Sequence, residues 1–239
     1  MLKPPARVRQ PELTDDLALD ADGHAHAVCG LARINRVSGS SRILWRALAP
    51  LLRASPSKEF RLLDVAAGAG DVVIGLCARA RRAGIRLSAD AVDFNPKALE
   101  IGRQWAAAAG ANVRFFALDV LRQAIPQIYD IVTCSLLLHH LSDEQAVDLL
   151  RKLAACTRGV LLVNDLRRAW GSIFEVYLAT RFLTTSPVTR IDGMRSVRAA
   201  YTTEEMRALA AQAGLQGAEV SPRRPARLLL QWRRPETWA

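Results

Sequence analysis

Residues Leu62 to Val73 read LLDVAAGAGDVV, and this stretch decides the fold. The apolar run from Phe60 to Val65 has the length and composition of a buried strand. It enters a turn of small residues, Ala66-Ala67-Gly68-Ala69-Gly70, and a helical pattern follows. A second apolar run, LSADAVDF, brings Asp93 to a strand end twenty-three positions beyond Gly70. Strand, glycine turn, helix, strand and terminal acid make a nucleoside-binding half of a Rossmann-like α/β sheet. Glycines let the backbone approach a ligand closely, and the helix N-terminus favours a carboxylate or phosphate. An acid closing the next strand can accept hydrogen bonds from both ribose hydroxyls.

The turn also discriminates between ligands. A dinucleotide fingerprint requires a third small residue where this chain has Val73, and no Gly-Lys-Ser/Thr of a P-loop exists. What remains is Asp64-x-Ala66-x-Gly68-x-Gly70. This resembles motif I of the class I S-adenosylmethionine (SAM) methyltransferases, written D/E-x-G-x-G-x-G. The departure is Ala66, which is expected to take a negative φ, since a side chain disfavours the left-handed region. The resemblance implies SAM as cofactor and S-adenosylhomocysteine as product. It places Asp64, Ala66, Gly68 and Gly70 around the methionine end and Asp93 on the ribose, with Phe94 against the adenine. Asp119, with Val120, falls near the adenine amine, and Ser135 and Leu136 near the methionine portion through their backbone. Asp64 as a turn cap, and Asp119 as a strand-ending turn acid, are the purely structural alternatives.

Onward, the chain alternates strand and helix. Asn95-Pro96 is a helix start, running to about Ala109 and stopping at Gly110. NVRFFALDV is a third strand ending at Asp119, Tyr129 to Cys134 a fourth, and RGVLLVND a fifth. Ser142-Asp143-Glu144-Gln145 and Thr202-Thr203-Glu204-Glu205 are capping boxes that open two further helices. LQGAEVS and ARLLLQW form an antiparallel finish. The expected architecture is therefore α/β, a Rossmann-like, mostly parallel methyltransferase sheet with an antiparallel C-terminal strand. Residues 1–57 form an N-terminal tail and helical lid segment, and residues 58–239 the SAM-binding domain. The first twenty residues are Pro- and charge-rich, the composition of a disordered tail. The stretch GLARINRVSGSSRILWRALAPLL reads as two short helices broken at Ser38-Gly39-Ser40. An insertion, residues 166–201, holds a mostly apolar helical stretch, AWGSIFEVYLATRFL, and a loop, DGMRSVRAAY. Residues 24–57 and 166–201 are expected to meet as a lid over the carboxyl ends of the strands; extra packing helices or a homodimer surface is the alternative.

His139 and His140 follow the fourth strand, where the transferred methyl would lie, and histidine is the natural base near neutral pH. The segment SLLLHHLSD is similar to that of small-molecule methyltransferases of quinone pathways and natural products. No Asn/Asp-Pro-Pro-Tyr/Phe motif of nucleobase amine methylation and no Pro-Cys nucleophile is present. Leu136-Leu137-Leu138 and the apolar insertion point to a small, largely apolar acceptor, a phenol or hydroxyquinone methylated on oxygen. Arg195, Arg198 and Tyr201 are the candidates to orient its polar groups from the lid. An RNA or protein methyltransferase, or a non-catalytic SAM-binding partner protein, is the alternative.

Composition is consistent with this. A net charge of +10 invites a nucleic-acid reading, but only four of the 33 basic residues are lysine and the arginines are spread along the chain. No apolar run reaches the roughly 18 residues of a membrane span. The N-terminus lacks the apolar core of a signal peptide, and four widely spaced cysteines (29, 77, 134 and 156) read as reduced thiols of a cytoplasmic protein. No metal is expected: His24 and His26 have no third ligand at sensible spacing.

Overall fold

A computed structural model describes residues 3–11, 35, 38–55 and 57–235. Its strands are β1 Phe60–Val65, β2 Leu87–Asp93, β3 Val113–Ala117, β4 Tyr129–Ser135, β5 Thr157–Leu166, β6 Glu219–Arg223 and β7 Arg227–Arg233. Its helices are α1 Ser40–Arg53, α2 Asp71–Arg82, α3 Pro96–Ala109, α4 Asp143–Ala155, α5 Trp170–Phe182, α6 Pro187–Ala199 and α7 Thr203–Gln212. The strands form one sheet in the order β3-β2-β1-β4-β5-β7-β6. β1 to β5 pair in parallel, while β7 runs antiparallel between β5 and β6. The sheet is thus the mostly parallel Rossmann-like sheet the sequence implies.

Alternation along each strand sorts the core into two faces. Leu62, Ile131, Leu162 and Leu229 pack with α1, α2 and α3. Leu63, Val132, Val163 and Leu230, each one position on, pack with α4 and α7. β1 lies between β2 and β4, so chain connections leave it in both directions, and a crevice opens at its carboxyl end.

The helix starts follow local chemistry. The Asn95 side chain accepts from the Lys97 amide at 3.0 Å, and both capping boxes close reciprocally. β3 ends at Ala117 rather than at Asp119. The stretch expected as a loop, DGMRSVRAAY, is mostly helix α6, started by the Ser186 hydroxyl accepting from the Thr189 amide with Pro187 at the first helical position. That is the signal of Asn95-Pro96 in another form.

The expected lid divides. The first of the two N-terminal helices falls largely outside the described residues. The second, α1, does not roof the crevice: Leu44, Leu48 and Leu52 are fully buried against the sheet face, because helical spacing puts them on one stripe. Residues 3–11, expected to belong to a disordered tail, instead form an extended strap. Arg7 donates to the Ala199 and Leu141 carbonyls at 2.7 and 2.9 Å and pairs with Asp143. The Val8 amide donates to the Arg198 carbonyl, Arg9 to the His140 carbonyl, Trp170 to the Lys3 carbonyl and Arg195 to the Pro11 carbonyl. The buried Arg168 guanidinium joins Pro5, Ala200 and Glu205.

Candidate active site

At the crevice lies a cleft of about 600 Å³, lined by Asp64, Ala66, Gly68, Asp93, Phe94, Asp119, Val120, Ser135, Leu136 and His140, among others. Nine of the ten residues expected to meet the cofactor are therefore together in one cleft. The tenth, Gly70, turns away from it. A Cβ there would lie 2.7 Å from the Phe115 ring, so this glycine is required by packing and by its φ of 72° at the start of α2. Gly68 is the opposite case, with φ 54° and nothing within 4 Å of where a Cβ would stand. It presents bare backbone to the cleft.

Ala66 corrects the expectation of a negative φ, for its φ is 54°. Its carbonyl-side geometry is imposed by the turn, where the next amide, of Ala67, donates to the Val92 carbonyl of the neighbouring strand at 3.0 Å. Leu136 is also left-handed, at φ 59°, with its amide on the Asn164 carbonyl at 3.0 Å. Two non-glycine residues in this region within one cleft mark backbone strain of the kind that gathers at ligand sites.

Four carboxylates, Asp64, Asp71, Asp93 and Asp119, set the electrostatics. Asp93 accepts from the Gly68 amide at 2.8 Å and from the Asn95 amide at 2.9 Å. Burial raises its pKa, and these amide bonds pull it back. The Phe94 amide bonds the carboxylate as well, which leaves one of its four lone-pair sites for a ligand hydroxyl. Burial pushes the Asp64 carboxyl up to about 7 against the Thr133 hydroxyl 2.7 Å away, and Asp71 and Asp93 add to the rise. A cation entering the cleft would relieve that penalty. Asp119 caps its own turn, accepting from the Leu121 amide at 3.0 Å, and lines the cleft as well. Phe94 is 60% exposed, an aromatic face open to the cleft. The Ser135 hydroxyl is buried at the cleft wall with no hydrogen-bond partner among the described residues. Bare glycine backbone, a strand-end carboxylate, an open aromatic face and an orphaned hydroxyl fit a nucleoside carrying a charged amino-acid tail.

The two histidines separate. His139 is 3% exposed, and its Nδ1 lies 2.6 Å from an Asp165 oxygen. Asp165 also accepts from the Leu138 and Leu166 amides. Burial works to raise the Asp165 pKa, but the His139 charge and these bonds outweigh it and hold it low. His139 does not line the cleft; it braces the 3₁₀ turn Leu138–His140. His140 does line the cleft, its ring 4.2 Å from that of His139.

Tyr201 is likewise corrected from an acceptor contact to a clasp. It is 2% exposed, with its hydroxyl 3.0 Å from Asp143 and 3.2 Å from the Leu141 carbonyl and the Arg7 guanidinium 3.7 Å over its ring. Burial raises its pKa strongly. Arg195 and Arg198 line a second cavity of about 830 Å³ between the strap, α5 and α6. The two spaces share a wall. Arg9 faces the cleft while Val8 and Gln10 face the cavity, as alternation in an extended segment requires. Leu136 of the cleft and Ile173 of the cavity pack against the same buried cluster, Leu166, Val197, Ala200 and Ala226. Arg9 and Asn35 are cleft residues that sequence reasoning missed. Nothing local marks Arg9, whose partner, the His140 carbonyl, is 131 positions away.

A family model described as a methyltransferase domain matches residues 62–159. Over these residues the chain is similar to methyltransferase domains, and the fold, the glycine turn and the lining of the cleft agree with SAM as the cofactor. Among curated proteins it is similar to the demethylmenaquinone methyltransferase of Deinococcus radiodurans, at 35% identity over 140 residues, covering 56% of this chain and 55% of that protein. The chain thus spans about half the length of that relative. Among solved structures it resembles an O-methyltransferase family 2 protein from Planctomyces limnophilus in complex with apigenin, with a TM-score of 0.64 at 19% identity over 91% of this chain and 63% of that one. It also resembles magnesium protoporphyrin IX methyltransferase from Synechocystis with bound S-adenosylhomocysteine, with a TM-score of 0.59 at 19% identity over 84% of this chain and 85% of that one.

Proposed function

We propose that the protein transfers a methyl group from SAM to the oxygen of a small, largely apolar phenol or hydroxyquinone. The observation that carries this is the shared wall: the cleft that holds the glycine turn and Asp93 stands directly beside a second cavity of drug-like size. The relatives named above as a menaquinone methyltransferase and as an apigenin-bound O-methyltransferase lend weight to an aromatic acceptor.

SAM, when bound, supplies a methyl group on a cationic sulfur. The chain's residues do the rest. Gly68 admits the ligand, Asp93 takes a ribose hydroxyl, and Phe94 covers the adenine. Asp64 holds the positive charge of the tail. The acceptor body lies in the second cavity, with Arg195 and Arg198 on its polar groups and its hydroxyl passing beside Leu136 toward the cleft. His140 takes the hydroxyl proton on a ring nitrogen as the oxygen attacks, held in place by the His139–Asp165 pair. The leucines around the 3₁₀ turn keep water from the line of attack.

Incubating the protein with cell extract and isotopically labelled SAM, followed by mass spectrometry, tests this. The expected result is label in a small aromatic product in which one hydroxyl has become a methyl ether. Label confined to RNA or protein, or absent altogether, would replace this reading with a macromolecular methyltransferase or a non-catalytic SAM-binding protein.

A further inference from the structure

The second cavity carries a charge pattern that an apolar acceptor does not explain. Four arginines, Arg181, Arg190, Arg195 and Arg198, line it, and no carboxylate does among the described residues. Asp192, a buried residue of α6, lies 3.9 Å from Arg195. Arg190 spends its guanidinium on neutral carbonyls, of Thr180, Thr184 and Arg181, and has no ion pair among the described residues. Arg195 likewise holds the Pro11 carbonyl. Arg181 lies 5.4 Å from the centre of the Tyr177 ring, and Arg198 is engaged by no hydrogen bond or ion pair from its side chain among the described residues. Apart from Gln10 and Thr180, the rest of the described lining is apolar or aromatic, with Trp170 and Tyr177 on the wall of α5. Like charges gathered with less counter-charge than their number repel one another and cost stability unless a ligand of opposite sign completes them.

We infer that the cavity takes an amphipathic organic acid: an aromatic body stacked along Trp170 and Tyr177, with a carboxylate held by Arg198 and Arg181. Guanidinium is the fitting partner, since its planar fork matches a carboxylate in two parallel hydrogen bonds. This rests on the reading of the cavity as the acceptor site and narrows it: the acceptor carries a carboxylate as well as the hydroxyl that is methylated. No new covalent step is involved.

The test uses 1-hydroxy-2-naphthoate and its neutral amide, 1-hydroxy-2-naphthamide. Each is titrated by calorimetry into full-length protein saturated with S-adenosylhomocysteine. The acid is expected to bind at least about tenfold more tightly than the amide, an advantage that shrinks at high salt because the site is partly open to solvent. Arg181→Gln and Arg198→Gln should each weaken the acid about three- to tenfold and leave the amide unchanged. Both side chains are exposed, so the melting temperature should hold, and that is measured alongside. Equal affinity for acid and amide, binding of neither up to millimolar concentration, or a preference that survives the double variant overturns the inference. Methyl transfer is scored separately with SAM. Preferential binding without methylation of either compound upholds the anion site and removes the acceptor role. Methylation of both with equal affinity keeps the acceptor role and removes the anion.

Discussion

At the scale of single residues, the cleft is built from backbone that its side chains do not favour. Ala66 occupies a left-handed position where the motif usually has glycine. That region costs an L-residue about 1–2 kcal/mol, offset in part by the greater freedom glycine loses on folding. Ala66→Gly should therefore stabilise the protein by about 0.5–1 kcal/mol, read as a higher urea midpoint at unchanged slope. A lower midpoint would mean the alanine is at ease there. Asp64 gives a pH signature. Its folded pKa of about 7 lies above the ordinary aspartate value, so the folded state disfavours the charged form. Stability is then full below about pH 4 and falls as pH rises toward 7, by at most about 4 kcal/mol. Asp64→Asn should match the wild type at pH 4, exceed it at pH 8, and remove the rise of SAM affinity with pH. Identical pH–stability curves for the two proteins would place the ionisation elsewhere. The histidines should divide as their surroundings do. His139→Ala strands a buried carboxylate and should cost about 3–5 kcal/mol of stability. His140→Ala should leave the melting temperature and SAM affinity nearly unchanged and lower the maximal rate by about 10²–10⁴, most for the least acidic acceptor hydroxyl. If rate loss tracks His139 instead, or shows no dependence on acceptor acidity, His140 is not the base.

At the scale of elements, the legible parts were those whose signals are local. β1, β2 and α3 end where the sequence says, because a strand-length apolar run, an acid and an Asn-Pro start each act within a few residues. The placement of α1 was not legible. Its leucine stripe says only that one face is buried, and the choice between sheet face and crevice is made by packing far along the chain. The strap was hidden for the same reason: its composition is that of a tail, and its order comes from partners at 140–200. The arginine cluster in the second cavity is equally non-local, since α5 and α6 must fold side by side before it exists. Two variants separate these elements. Leu48→Ala in α1 should cost about 2–5 kcal/mol with little effect on affinity for SAM. Deleting residues 1–11 should open the cavity and end turnover while SAM still raises the melting temperature. Full turnover after that deletion would show that the strap is no part of the acceptor wall.

At the scale of the whole molecule, ligand and fold are coupled. SAM and S-adenosylhomocysteine bind only the folded cleft and should raise the melting temperature, by an amount that grows with the logarithm of concentration above Kd, whereas NAD, FAD and ATP should not. An equal rise with NAD would contradict the specificity assigned to the glycine turn. The described cysteines 77, 134 and 156 are free and buried, and burial raises the pKa of each thiol, so the melt should be insensitive to mild oxidant. The strap has a consequence in time as well as in space. Residues 3–11 leave the ribosome well before the segments they pack against, for Arg7 must find the Ala199 carbonyl, 192 positions later. Synthesis proceeds at roughly 5–20 residues per second, so this segment waits on the order of ten seconds for its seat. A nascent chain that has passed β4 already holds the strands and turn of the cofactor cleft but has neither α5 nor α6 to form the second cavity with the strap. Ribosome-bound intermediates of increasing length should therefore acquire affinity for S-adenosylhomocysteine well before they acquire a closed compartment, which makes the N-terminal thread the last stitch of assembly.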